Sequence, residues 1–378
     1  MKNVLIITPT LTHYREKFFN RLREELIRNN VKLTLVYGQP VEELAKKGGY
    51  IHLEWAHFQP SKFLRLGKRQ LVWQPVLKYI KDADLVIAVQ ASQLLINYYL
   101  VLLNLLKLKK VAFWGHGKNL QKDASKIGEW FKSKLSKHVH WWFAYNKISV
   151  GIVKELGFPS GQITNVQNAI DTSSLIAANQ KISSSNLIKL RQNLEISSEN
   201  VCLYIGGMYP GKRIQFLLDA LYIIRRKIPD FEMLFIGAGV YDYLVKQAAK
   251  NNAWIHYLGN IFGDEKVPYF ALSELVLMPS LVGLGILDAF ALETPIVTTS
   301  DLGHGPEFDY LENNINGIVV SAYNNLDAYA QEVIRLLQDQ ERINILQSGC
   351  KKARSIFTLE KMVENFADGV ISALHKDL

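Results

Sequence analysis

The sequence predicts two doubly wound α/β domains, and three observations carry that prediction: the length of 378 residues, a strand-helix alternation in the first half, and the same alternation restarting after a polar break. At roughly 150 residues per domain, the length suits two hydrophobic cores rather than one. In the first half VLIIT, VKLTLVYG, DLVIAVQA, KVAFWGHG and WWFAY read as strands separated by amphipathic stretches, the signature of a mostly parallel sheet covered on both faces. The stretch from His13 to about Asn29 sets Phe18, Phe19, Leu22 and Leu26 on one face at helical spacing, so these residues are expected in a core. After TNVQNAIDTSS the pattern gives way to NQKISSSN, a polar, serine-rich segment that predicts a linker near residues 172–186. VCLYIGG, EMLFIGAG, IHYLGN, ELVLMPS, PIVTTS and GIVV then supply the strands of a second domain. The expected division is 1–172, 187–357 and a terminal segment 358–378.

Composition narrows the function classes. With 48% hydrophobic and 21% charged residues, the chain is that of a folded globular protein. Its two cysteines, Cys202 and Cys350, lie among apolar or small residues and predict buried, inert thiols in a reduced compartment. MKNVLIITPT ends in Thr-Pro and runs into a charged helix, so it reads as a first strand and not as a signal peptide. LLINYYLVLLNLL falls short of the about 20 residues that cross a bilayer and contains Asn97 and Asn104. A net charge of +9 favours an anionic partner, whether nucleotide, nucleic acid or membrane surface.

In open α/β sheets ligands bind beyond the carboxyl ends of strands, and the turns there hold the distinctive residues. GGMYPGKRIQFLLDAL follows the first strand of the second domain: Gly206, Gly207 and Gly211 allow a tight backbone, and Lys212 and Arg213 open a helix. Backbone N–H groups, the helix end and the cations together make a phosphate cradle. A P-loop would need a hydroxyl where Arg213 stands, which disfavours an ATPase, and a solvated Lys-Arg pair is the plainer alternative. FIGAGVYDYL offers Gly237 and Gly239, either as ligand contacts or as a tight strand-to-helix turn. PSLVGLGILDAFALETPIV places Gly283, Leu284 and Gly285 in a loop and Asp288 in the following helix, where a carboxylate can accept hydrogen bonds from vicinal hydroxyls. HGPEFDYLENNING adds His304, Glu307 and the Asn316-Gly317 turn, although a first-turn glutamate needs no function.

In the first domain WGHGKN sets His116 between two glycines directly after a strand, a place for a ligand or for a loop histidine in solvent. TPTLTHYR offers His13, Tyr14 and Arg15 at a helix start; capping by Thr12 explains part of that pattern. Asp82 and Asp84 look like a metal-binding pair but precede a strand, at the end remote from the binding edge. No His or Cys cluster has ligand spacing for a metal, and no Gly-x-Ser-x-Gly elbow occurs.

Taken together, WGHGKN, the NAID of Asn168 to Asp171, GGMYPGK, PSLVGLGILDAFALETPIV and HGPE with its later Asn-Gly resemble the retaining glycosyltransferases of family 4 over nearly the whole chain. The resemblance implies the GT-B architecture of two facing Rossmann-like domains: an acceptor-binding N-terminal one, a nucleotide-sugar-binding C-terminal one, and a last amphipathic helix that returns to the first domain. It implies a metal-independent hexosyltransferase with no cofactor, taking a UDP- or GDP-linked sugar to a hydroxyl of a glycan or lipid-linked acceptor in cell-envelope polysaccharide synthesis. Lys212 and Arg213 would hold the diphosphate and His116 would lie over the sugar, these three being the catalytic set. Gly207, Gly211, Gly237, Gly239, Gly283, Leu284, Asp288 and Glu307 would line the donor, and His13, Tyr14 and Arg15 the acceptor. Two departures stand out: the family's usual arginine falls on Met208, and the first glutamate of its paired signature falls on Ser280. A silent scaffold or a nucleotide-sugar epimerase of the same fold are the rival readings.

SKFLRLGKRQLVW and SKIGEWFKSKLSKHVHWW interleave cations with aromatic and aliphatic residues. Such segments suit an anionic cytoplasmic leaflet, hence an expected cytoplasmic, peripheral location, or else form a solvated face over core aromatics. No RNA-binding motif supports nucleic acid.

Overall fold

A computed structural model describes residues 1–40, 50–67, 69–117, 137–300 and 303–378. The chain divides into two compact units, Met1–Asp171 with Leu359–Leu378, and Thr172–Thr358.

In unit 1 the chain runs β1 (Lys2–Thr8), a 3-10 turn (His13–Arg15), α1 (Glu16–Arg28), β2 (Val31–Tyr37), β3 (His57–Phe58), β4 (Lys62–Leu66), β5 (Arg69–Trp73), α2 (Leu77–Ile80), β6 (Leu85–Val89), α3 (Leu95–Leu105), β7 (Lys110–Gly115), β8 (Trp141–Ala144), α4 (Lys147–Glu155) and β9 (Ile163–Asn165). Seven parallel strands lie in the order β3-β2-β1-β6-β7-β8-β9. The apolar runs fill the sheet because helices cover both faces: Leu5, Ile7, Val86, Val111, Phe113 and Trp142 are buried in one core. Phe18, Phe19, Leu22 and Leu26 form the inner face of α1. Thr12 is extended but its side chain makes no capping bond, so the helix start is closed without it. Asp84 accepts from Lys2 Nζ and Asn3 N at the foot of β6, a structural role.

Unit 2 runs α5 (Ser173–Gln180), α6 (Ser184–Asn193), β10 (Val201–Ile205), α7 (Ile214–Lys227), β11 (Glu232–Ile236), α8 (Asp242–Asn251), β12 (Ile255–Gly259), α9 (Val267–Ala271), β13 (Leu275–Leu277), α10 (Gly285–Ala291), β14 (Ile296–Thr299), β15 (Gly317–Val320), α11 (Leu326–Leu337) and α12 (Gln340–Ile356). Its parallel sheet has the order β12-β11-β10-β13-β14-β15. The expected linker is not one: its serines sit at helix starts, Ser183 Oγ accepts from Asn186 N at 3.3 Å, and α5 and α6 pack on α9 as part of unit 2.

The last helix, α13 (Leu359–His375), completes unit 1. Phe366 stacks on Phe143 with ring centroids 4.4 Å apart and meets Phe18 and Trp114 edge-on. Gly369 permits this approach, since a Cβ there would lie 2.4 Å from Thr164 Oγ1. Arg21 and Glu360 pair across α1 and α13.

Both parallel sheets reverse strand order once, between β1 and β6 in unit 1 and between β10 and β13 in unit 2. At such a switch point the loops diverge to opposite faces and leave a crevice.

Candidate donor site at the switch point of unit 2

Two loops flank the unit 2 crevice, 206–213 after β10 and 278–284 after β13. The first is pinned to the β11 loop by Gly206 N to Ile236 O (3.0 Å), Met208 N to Ala238 O (2.9 Å) and Tyr241 N to Met208 O (3.0 Å). So close is this approach that a Cβ on Gly237 would sit 1.9 Å from Gly206 O, and one on Gly239 2.4 Å from Met208 O; both glycines also have positive φ. The packing of the two loops therefore accounts for these glycines without a ligand. Gly207 O accepts from Tyr204 Oη at 2.9 Å, and Gly211 lies under the Leu281 side chain.

Lys212 ends a 3-10 turn, and its Nζ donates to Leu281 O at 2.5 Å across the switch point. Leu281 has a left-handed backbone, φ 50°, a conformation that a leucine adopts only under constraint from its surroundings. Burial pushes the Lys212 ammonium down to about 8. Arg213 goes elsewhere. It too is left-handed (φ 53°), and its guanidinium lies over Phe216 and Tyr323 at 3.8 and 4.2 Å. It donates to Tyr323 O at 2.8 Å and to Asn324 Oδ1 at 3.3 Å. This corrects the expectation that Arg213 completes a diphosphate clamp, because its fork is occupied by the loop after β15. Met208 is fully buried in the core, and Ser280 is buried in the β13 loop.

A histidine holds the second loop. His304 Nδ1 accepts from Val282 N at 3.0 Å, so the proton is on Nε2, which donates to Thr299 O at 2.8 Å. The ring stacks on Phe308 at 4.0 Å, and Gly305 N returns to Val282 O at 2.7 Å. Glu307, 4% exposed in the turn Pro306–Tyr310, brings Oε2 beside Gly305 and Gly283. Leu284 precedes α10, and within that helix Asp288 meets Lys266 at 2.7 Å, both largely buried. Burial raises the Asp288 carboxyl, with Lys266 opposing that shift. Sequence reasoning missed Lys266 and gave His304 no role. The first looks like one more loop cation in GDEK, and the second reveals its function only through a backbone N–H twenty-two residues away.

Lys212, Leu284, Asp288, Glu307 and glycines 207, 211, 237, 239 and 283 thus all belong to the β10, β11 and β13–β14 loop edge of unit 2. In unit 1 His13, Tyr14 and Arg15 follow β1 at the other switch point, and His116 follows β7. His13 and Tyr14 are exposed. Arg15 is instead turned inward: it donates to Asn168 Oδ1 at 2.5 Å and lies over Trp114 at 5.2 Å, tying the 3-10 turn to the floor of the unit, which corrects its assignment to an acceptor. His116 packs on Tyr145 at 4.4 Å, and its Nδ1 lies 3.4 Å from Ser149 Oγ. Both cysteines are buried with thiols pushed up by burial, as inert thiols should be. Among the described residues no group of three or more His, Cys, Asp or Glu side chains could hold a metal ion, and no helix is long and apolar enough to cross a membrane.

Residues 199–339 match the family of glycosyl transferases group 1. A GDP-mannose-dependent alpha-(1-6)-phosphatidylinositol monomannoside mannosyltransferase of Mycobacterium tuberculosis is 26% identical over 167 residues, 41% of this chain and 42% of the relative. The O-antigen chain mannosyltransferase B of Escherichia coli is 27% identical over 198 residues, 50% of this chain and 49% of the relative. The chain thus spans about half or less of the length of these curated relatives. Among solved structures, Anabaena Alr3699/HepE in complex with UDP has a TM-score of 0.69 at 17% identity, covering 98% of this chain and 100% of that one. A glycosyltransferase from Rickettsia africae has a TM-score of 0.68 at 15% identity, with 99% of each chain covered. The protein has the GT-B fold of two Rossmann-like α/β domains, and its residues 199–339 match the group 1 glycosyl transferases.

Proposed function

We propose that the protein transfers a sugar from a UDP- or GDP-linked donor to a hydroxyl of a lipid-linked or polysaccharide-precursor acceptor, with retained anomeric configuration and without a metal. One observation carries the reading: a desolvated lysine ammonium at the switch point of unit 2 that has a neutral carbonyl as its hydrogen-bond partner. A diphosphate supplies the counter-charge this group lacks, and charge growing on the leaving diphosphate makes the attraction stronger in the transition state than in the ground state. The structural relative holds UDP and the sequence relative is GDP-mannose-dependent, which supports a nucleoside diphosphate sugar as the ligand class.

Within this reading Lys212 takes the diphosphate, and Asp288 and Glu307 take hydroxyls of ribose and sugar. His116 is assigned to the transferred sugar, and His13 and Tyr14 to the acceptor. A thermal-shift panel of UDP- and GDP-sugars tests it, since a ligand at about 100 times its dissociation constant stabilises by roughly 2.7 kcal/mol. The expected outcome is a shift with one nucleotide class, followed by transfer that persists in excess EDTA with a product of unchanged anomeric configuration. No shift with any member removes the donor site, and turnover restored only by manganese removes metal independence.

A further inference from the structure

The basic excess of the chain is confined to one unit. Unit 1 contains 28 Lys and Arg against 16 Asp and Glu, a net +12, whereas unit 2 contains 16 against 19, a net −3. Within unit 1 the inner face of α3 is buried through Ile96, Leu100 and Val101, and its opposite face is apolar as well. Tyr99, Leu102, Leu105 and Leu106 follow one another at helical spacing on the outside, and Leu108 extends the row past the helix end. These four leucines are 51%, 54%, 58% and 65% exposed.

The end of this row is built rather than frayed. Lys107 is left-handed (φ 56°), Leu108 N donates to Leu103 O at 2.9 Å and Lys107 N to Asn104 O at 3.0 Å, the paired bonds of a Schellman closure. In that motif the apolar residue at the position of Leu108 usually folds back onto the helix; here it stands out in solvent. Asn104 Oδ1 accepts from Val111 N at 3.1 Å and its amide donates to His138 O at 3.2 Å. Lys109 Nζ donates to Ala83 O at 2.6 Å and Lys81 O at 3.1 Å. The ridge is therefore preformed and flanked by exposed Lys81 and Lys107, with exposed Asp82 next to Lys81.

We propose that the outer face of α3 and the turn after it dock on an anionic lipid bilayer, the leucines entering the acyl boundary and the lysines meeting the headgroups. Apolar insertion and coulombic attraction to anionic lipid are the two terms that set the strength of interfacial membrane binding. A second copy of the chain fits poorly, because an isologous contact would set this positively charged flank against itself. Nucleic acid would leave the leucines without a partner. This deepens the membrane side of the function proposed above and rests on it only there; the ridge differs from both segments that the sequence pointed to. SKFLRLGKRQLVW is the antiparallel hairpin β4–β5, and most of SKIGEWFKSKLSKHVHWW lies outside the described residues.

The experiment is co-sedimentation of the full chain with phosphatidylcholine vesicles, with and without phosphatidylglycerol. It is run beside the combined variant Leu102→Gln, Leu105→Gln, Leu106→Gln, Leu108→Gln and, separately, Lys107→Glu. The parent should partition onto the anionic vesicles at least about tenfold better than onto the neutral ones and release with salt. The leucine variant should lose that binding by about tenfold or more, and Lys107→Glu should lower only the part that depends on phosphatidylglycerol. A parent that binds neither vesicle, or a leucine variant that binds like the parent, overturns the proposal. So does a lipid-free dimer in sedimentation velocity that the leucine variant dissolves. Nucleotide-induced thermal shifts, read without vesicles, report the donor site and the folding of each variant, so the two readings fail separately.

Discussion

An ammonium that has left water for a neutral carbonyl is costly to keep. Lowering Lys212 from its ordinary 10.5 to about 8 corresponds to on the order of 3 kcal/mol against the charged form in the empty protein. Below about 8 the cost is present in full, and it fades as pH rises from there toward 10.5, where the unfolded chain also loses its proton. Lys212→Met should therefore raise the melting temperature of the empty protein at pH 7, with the gain shrinking at pH 9, while removing the shift that a nucleoside diphosphate induces. Lys212→Ala should weaken that ligand at least about tenfold and the transfer rate further still. For the parent, affinity should fall as pH rises above about 8, because the empty site then binds donor only by taking up a proton. Titration calorimetry at pH 7 and 9 checks this; a flat affinity in the parent, or a Lys212→Met protein that melts lower and still binds, moves the phosphate site elsewhere. The same stretch of sequence shows Arg213 beside Lys212 as an equal candidate, and only the ring contacts with Phe216 and Tyr323 separate the two.

At the scale of elements, the strands that alternation predicted are all present, because parallel strands buried on both faces must be written as continuous apolar runs. What sequence hid was written in other terms. The hairpin β4–β5 alternates cations with leucines and reads as a basic surface segment, and α5 and α6 are polar helices whose serines suggest a linker. The loops were legible as glycine-marked turns, but not the reason for each glycine. Gly237 is the sharpest case: its identity is fixed by the carbonyl of Gly206, so Gly237→Ala forces the β10 and β11 loops apart. That substitution should cost about 2–3 kcal/mol, from overpacking together with a left-handed alanine. Because Met208, Tyr241 and Lys212 all depend on the same loop, nucleotide binding should fall with it. Denaturant midpoints together with nucleotide titration check this, and an alanine variant with parental stability would mean that the loops do not pack so closely.

On the scale of the whole molecule, the units differ in charge and in how they are assembled. Lys212, Asp288, Glu307 and the loops that hold them lie entirely within Thr172–Thr358. That fragment, expressed alone, should fold with its own core and bind the same nucleotide as the full chain, with less than about a tenfold change in affinity. A fragment that folds, by circular dichroism and cooperative melting, but does not bind nucleotide would show that unit 2 is not sufficient for the donor. The complementary piece 1–171 should fare worse, since it lacks α13 and leaves the ring cluster of Phe18, Trp114 and Phe143 without Phe366.

That dependence on α13 also orders events on the ribosome. Unit 2 is inserted between the two segments of unit 1, so the unit 1 sheet emerges before it and then has to wait while all of unit 2 is synthesised before its missing helix arrives. At about 5–20 residues per second the wait lasts roughly 10–40 s, long compared with folding of either sheet alone. For that interval the nascent chain presents an uncovered aromatic face, which makes unit 2, though second in sequence, the first domain able to reach its final state.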